Sequence, residues 1–186
     1  MKNFLIVIIM CPIFLSGQTP KINDYKITIL STMLSDFYTG EWGFSALIEF
    51  DGKKILFDTG SRENTVLKNA KELNIDLNGI ENVYLSHNHK DHTGGLINLK
   101  KSFPNSFSVA HVGEGIFYSR PSSKADKNYI LLNKEKIKDM GVNFSSYKNA
   151  TQIFSGVWTT GQVPRKYDEK NWSRLGKVVN SLGEKE

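Results

Sequence analysis

The sequence contains one cysteine, Cys11, and it sits inside an apolar stretch near the N-terminus. With none further along the chain, a disulfide framework and a thiolate metal site are both excluded, and His, Asp and Glu are left as the available metal ligands. No apolar run reaches the roughly 20 residues that a membrane-spanning helix requires. The longest, over residues 4–15, is too short to serve as a transmembrane anchor. Internal repeats and low-complexity tracts are missing as well. Charge is only mildly one-sided, with 24 basic against 19 acidic residues. The lysines are scattered, at Lys53-Lys54, Lys68, Lys71, Lys100-Lys101 and over 134–138. That pattern reads as solvated surface, and no segment alternates Arg with aromatics as a nucleic-acid platform does, so nucleic acid is not an expected partner.

What the N-terminus does have is Lys2, the apolar run, and then the small residues Ser16 and Gly17 ahead of Gln18. This is the layout of a secretory signal. Residues 1–17 are therefore expected to be a signal peptide and the protein to be exported, in a bacterium to the periplasm. A composition of 39% hydrophobic and 23% charged residues suits one globular domain, expected over 18–165, with a polar tail or connector over 166–186.

Residues 26–30 and 44–50 are rich in Ile, Leu and Phe, and the second run leads through Asp51-Gly52 into a third at 55–57. This reads as an N-terminal β-hairpin arrangement. Ser61 is placed to cap a helix whose Val66, Leu67, Ala70 and Leu73 share one face. A short strand over 83–85 delivers the chain into a His-rich loop. Leu96, Ile97 and Leu99 suggest a short helix ended by Phe103-Pro104, followed by a strand over 107–110, a short helix at 116–118 and a polar loop at 119–127. A strand is expected near 129–132, a helix over 134–140 that Gly141 terminates, and a last strand over 153–160. Strands alternating with helices after a hairpin give an α/β class, an α+β sandwich with a mixed sheet whose strand order the pattern does not fix.

Three of the four histidines, His87, His89 and His92, fall within six residues together with Asp91. In an extended segment alternate side chains point the same way, so His87 and His89 can converge on one cation while a turn after Lys90 brings Asp91 and His92 to a neighbouring point. Two metal positions are thus sketched by one loop. Imidazole and carboxylate suit a divalent transition metal; zinc is the expected ion, with iron or manganese compatible. Such a metal lowers the pKa of water toward about 7 and polarises the oxygen under attack, and Asp91 can orient the hydroxide. A plain polar loop whose histidines cap the next helix is the bland alternative, disfavoured by the spacing and by Thr93-Gly94-Gly95 behind it.

The segment from Leu85 to Gly95 resembles the metal-binding signature of the metallo-β-lactamase superfamily. The resemblance implies that His87 and His89 bind a first metal, and Asp91 and His92 a second. It also implies an Asp at the end of an early strand, matched by Phe57-Asp58-Thr59-Gly60, where Asp58 would orient the ligand loop and not ligate. Val109-Ala110-His111 and the segment 160–165 are similar to the branch of dihydropterin ribofuranosylaminobenzene-phosphate synthase-like proteins. In that branch His111 and Arg165 become candidate substrate-binding residues, Arg165 through an anionic group. Glu41, Trp42 and Gly43 sketch a loop over the site, against plain core packing of Trp42. The implied fold is the first αβ half of an αββα sandwich. The implied activity is hydrolysis of an ester, lactone, thioester, amide or phosphoester bond in a small molecule by metal-activated hydroxide. Further ligands that the superfamily carries in its second half have no counterpart after His111. The chain is accordingly expected to be a truncated form with exposed sheet surface, prone to self-association or in need of a partner half. A non-catalytic remnant that binds metal weakly is the competing reading.

Overall fold

The structure, a computed structural model, describes residues 20–119, 128–164 and 166–167. The expected signal peptide, most of the polar loop at 119–127, Arg165 and the tail beyond Tyr167 lie outside the described residues. Six strands form one sheet in sequence order: β1 (Tyr25–Ser31), β2 (Ser45–Phe50), β3 (Lys53–Phe57), β4 (Asn82–Leu85), β5 (Val109–Gly113) and β6 (Asn143–Tyr147). The first three are antiparallel. β2 and β3 are joined by a tight turn at Asp51-Gly52, where Gly52 takes φ +76°, the left-handed backbone such a turn needs. From β3 to β6 the strands run parallel, and each parallel step needs a crossover. α1 (Thr65–Glu72) provides the first, α2 (Lys90–Thr93) with α3 (Leu96–Ser102) the second, and α4 (Tyr129–Asp139), after a 3-10 turn at Glu114–Phe117, the third. The result is the mixed α/β sheet expected from the sequence.

The register decides which side chains share a face. Leu47, Leu56, Val83, Ala110 and Phe144 are successive cross-strand partners, so they stand together on one side of the pleat. Leu85 and Val112 join them, and Val66, Ala70, Leu96, Leu99, Ile130 and Ile137 from the helices close over them to make the core. Each fully buried Leu or Val there contributes about 1.5–3 kcal/mol. The opposite face carries Ile48 and Ile55 in one row and Phe57, Tyr84 and His111 in the next. A separate hairpin, β7 (Thr151–Phe154) and β8 (Val157–Thr159), crosses part of this side. Phe154 meets the rings of Phe50 at 5.6 Å and His111 at 5.9 Å, and the Tyr84 hydroxyl bonds Thr159 Oγ1 at 2.7 Å. Toward β1 no described residue covers the same face, and Tyr25, Ile27 and Ile29 are exposed.

Three local expectations are corrected. The strand expected near 129–132 is the first turn of α4. Asn128 starts that helix by accepting from the Leu131 N–H and donating to the carbonyls of Ile116 and Tyr118. Ile130 and Ile137, seven residues apart, are the side chains α4 buries, whereas a four-residue apolar run has no period of its own to read. The single strand expected over 153–160 is the β7–β8 hairpin, broken at Gly156 with φ +78°. Ser61 does not cap α1, which begins at Thr65 after Asn64. Its backbone N–H is held instead by Glu41.

Candidate metal centre

β3 and β4 are parallel neighbours, so the segments that leave their C-terminal ends emerge side by side. Asp58 follows β3 directly and keeps the ladder going by donating its N–H to the Tyr84 carbonyl at 2.8 Å. It takes φ +54°, a left-handed backbone that costs on the order of 1 kcal/mol and that Asp accepts more readily than most residues. Its buried carboxylate accepts three hydrogen bonds, from the Ser86 N–H, the Ser86 hydroxyl and His92 Nδ1, each at 2.7 Å. Burial pushes the Asp58 carboxyl pKa up, while these Ser86 and His92 bonds pull it back.

These bonds fix the histidine tautomers. A carboxylate at Nδ1 requires the proton there, which leaves Nε2 of His92 as its lone-pair nitrogen, 3.6 Å from Asp91 Oδ2. Because the Ser86 proton goes to Asp58, the Ser86 oxygen accepts from His87 Nδ1 at 3.0 Å, and His87 too keeps its lone pair on Nε2. One buried carboxylate sets both rings, one directly and one through a hydroxyl.

His87, Asp91 and His92 each place a ligand atom within 4.8 Å of the others. Two imidazoles and a carboxylate form a donor set that suits a divalent cation once the side chains draw together around it. His89 stands alongside, its ring edge-on to that of His87 at 4.7 Å, while the His87 and His92 rings are 4.1 Å apart. The His89 carbonyl accepts from Thr93 Oγ1 at 2.9 Å and from the His92 N–H at 3.1 Å, which turns the chain into α2. The structure thus brings His87, Asp91 and His92 together, with His89 alongside His87, so all four residues singled out in the sequence lie in one place.

The His-rich loop hangs on backbone bonds. The Thr59 N–H donates to the His92 carbonyl at 2.7 Å, the Gly94 N–H to Gly60 at 2.9 Å and the Phe44 N–H to Asp91 at 3.1 Å. A Cβ on Gly94 would run into the Ser61 carbonyl and one on Gly95 into that of Thr59, so neither position has room for a side chain.

The remaining candidates sit elsewhere. His111 is buried on β5, with Nδ1 bonded to the Tyr147 hydroxyl at 2.8 Å and Nε2 to Asn82 Oδ1 at 2.9 Å. Burial lowers its pKa, partly opposed by Glu81. Arg165 lies outside the described residues. Trp42 is exposed and not packed in the core, two residues before the Phe44 N–H that holds Asp91. Two residues of consequence carried no distinct assignment from the sequence. Nothing in the type of Ser86 announces a link between Asp58 and His87. Glu41 is the only charged residue between Asp36 and Glu49, and that isolation is the signal that marks a buried, partnered carboxylate.

Compared with known proteins, residues 26–111 match the family model described as Anti-Pycsar protein Apyc1. Over 159 residues the chain is 30% identical to the 7,8-dihydropterin-6-methyl-4-(β-D-ribofuranosyl)-aminobenzene-5′-phosphate synthase of Methanocaldococcus jannaschii, covering 77% of this chain and 52% of that protein. The chain spans about half the length of the curated relatives it matches. Among solved structures, the Rm3 metallo-β-lactamase superimposes with a TM-score of 0.49 at 19% identity, over 76% of this chain and 49% of the other. A quorum-quenching N-acyl homoserine lactone lactonase does so with 0.49 at 17% identity, over 77% and 64%.

Proposed function

We propose that the chain, which is similar in sequence to a dihydropterin ribofuranosylaminobenzene-phosphate synthase and whose His-rich loop resembles the metallo-β-lactamase signature, is a metal-dependent hydrolase of a small molecule. The observation that carries this reading is the meeting of His87, Asp91 and His92, with both imidazoles turned by the buried Asp58. We assign zinc as the ion, held by these three residues, with His89 beside them as a donor available to a second ion. A divalent cation in such a site supplies Lewis acidity and brings the pKa of water toward about 7. His87 and His92, each with Nδ1 engaged, offer Nε2 as the ligand atom, and Asp91, half-buried, has an oxygen able to hold a proton released from water. Asp58 and Ser86 keep the rings from rotating.

The scissile bond belongs to the class of esters, lactones, thioesters, amides or phosphoesters. We assign Arg165 to an anionic group of the substrate, in keeping with the phosphate in the name of the archaeal relative. From the layout of residues 1–17 we place the protein outside the cytoplasm. A second reading, a half-domain that binds metal weakly and acts only with a partner, is favoured by the exposed Tyr25, Ile27 and Ile29 and by the small number of donors.

Elemental analysis of the purified chain after dialysis separates the two. At least one zinc per chain, lost in His92→Ala, with turnover of a generic ester or phosphodiester abolished in His87→Ala, supports the hydrolase. Metal near zero rejects it and favours the second reading.

A further inference from the structure

We infer that Glu41 is a positioning residue for the metal loop, an inference that rests on the proposed metal reading only for its effect on affinity. The side chain is 4% exposed, and its carboxylate accepts four hydrogen bonds. They come from Ser31 Oγ at 2.7 Å, the Ser61 N–H at 2.8 Å, the Arg62 N–H at 2.9 Å and Thr65 Oγ1 at 2.8 Å. All four donors are neutral. Two are consecutive backbone amides, the arrangement that cradles an anion in a backbone nest, and together they offset the cost of burying the charge.

What the carboxylate pins is the seat of the ligand loop. The Gly60 carbonyl, one residue before the pinned amides, receives the Gly94 N–H. On the other side of Glu41, Gly43 is wedged between the same segment and the loop: a Cβ there would lie 2.7 Å from the Ser61 nitrogen and 2.8 Å from the Asp91 carbonyl oxygen. The next residue, Phe44, donates its N–H to that carbonyl. Glu41 thus joins 31–32, 43–44 and 60–65 into one block, and Asp91 and Gly94 are hung on it. An apolar side chain would fill the space without orienting the two amides. Glutamine has one acceptor oxygen where glutamate has two, so Glu41→Gln turns an amide N–H group toward at least one of the four donors.

Two readouts test this on the purified chain: native-state amide exchange at Phe44, Thr59 and Gly94, and zinc affinity by competition with a chromophoric chelator. In Glu41→Gln, exchange at these three amides is expected to speed up at least tenfold while the β4 and β5 amides stay as in the wild type. Zinc binding is expected to weaken at least tenfold, the range seen when groups behind metal ligands are removed. Asn128→Ala, which removes the cap of α4, serves as a destabilised control and leaves both readouts unchanged. Wild-type behaviour of Glu41→Gln overturns the inference, as does an equal effect from Asn128→Ala. If Glu41→Gln does not fold, Ser31→Ala deletes a single donor. A few-fold acceleration at the same amides supports the inference, and none overturns it. A wild-type chain that takes up no zinc removes the metal reading, and the exchange data alone then decide the role of Glu41.

Discussion

The three hydrogen bonds that Asp58 accepts all come from the segment that carries the proposed ligands, from Ser86 and His92. Asn is equally at home at the φ of +54° found there, so Asp58→Asn removes the charge and one acceptor without disturbing the backbone. The expected result is a folded protein, by circular dichroism, whose zinc affinity is about 10–100-fold lower; unchanged affinity would take Asp58 out of the site. His111 gives a second residue-level expectation. Burial holds its pKa below the ordinary value, so the folded state binds the proton less readily than the unfolded chain. Its contribution to stability is present above the unfolded pKa of about 6.5 and is lost as pH falls below it. In excess chelator, the urea midpoint should drop between pH 7.5 and 5.5, and His111→Gln should flatten that drop. A slope that survives the substitution assigns the titration to other groups. The donors from His87 to His92 are legible in the sequence because they adjoin one another. The roles of Ser86 and Glu41 are not, because they depend on residues distant along the chain, Asp58 for Ser86 and Ser61, Arg62 and Thr65 for Glu41, that only the fold brings near.

At the scale of elements, what reads well is what carries its own period or punctuation. Val66 and Ala70 are four residues apart on α1 and both face the core, and Asp51-Gly52 turns β2 into β3 as its composition indicates. The residues at 129–132 misread because four apolar residues suit a strand or a buried helix turn alike, and the choice falls to the Asn128 cap. Close approaches of backbone are equally hidden in sequence. Gly43 and Gly113 are both glycines outside the left-handed region, yet a Cβ on Gly113 meets nothing within 4 Å while one on Gly43 meets the backbone of Ser61 and Asp91. Gly43→Ala is therefore expected to cost about 1–3 kcal/mol in urea unfolding, the range of an overpacked site, and Gly113→Ala close to nothing. Equal costs would mean that the approach of the segment before β2 to the His-rich loop is looser than its geometry.

For the whole molecule, the strand order could not be read in advance because it is decided by crossovers, and a crossover is legible only when both its strands and its helix are. The same sheet has one face sealed by helices and one partly covered by a hairpin, and the difference has a physical consequence. On β1 the apolar residues Tyr25, Ile27 and Ile29 turn toward the second face and are exposed, while Leu30 turns inward and is buried. Beside them an open groove of about 420 Å³ is lined by Ile48, Ile55, Phe57, Tyr84 and Trp158 among others. Contiguous apolar surface on an edge strand lowers solubility. Ile27 pairs with Ile48 at the centre of this surface, and a lysine there keeps its charge in water without touching the helix-facing core of Leu30, Leu47 and Leu56. Ile27→Lys is expected to leave the urea midpoint within about 0.5 kcal/mol of the wild type, as surface changes usually do. It is also expected to raise the concentration at which light scattering detects association. A loss of stability would mean that Ile27 is packed in solution, and unchanged association would place the sticky surface elsewhere on the chain.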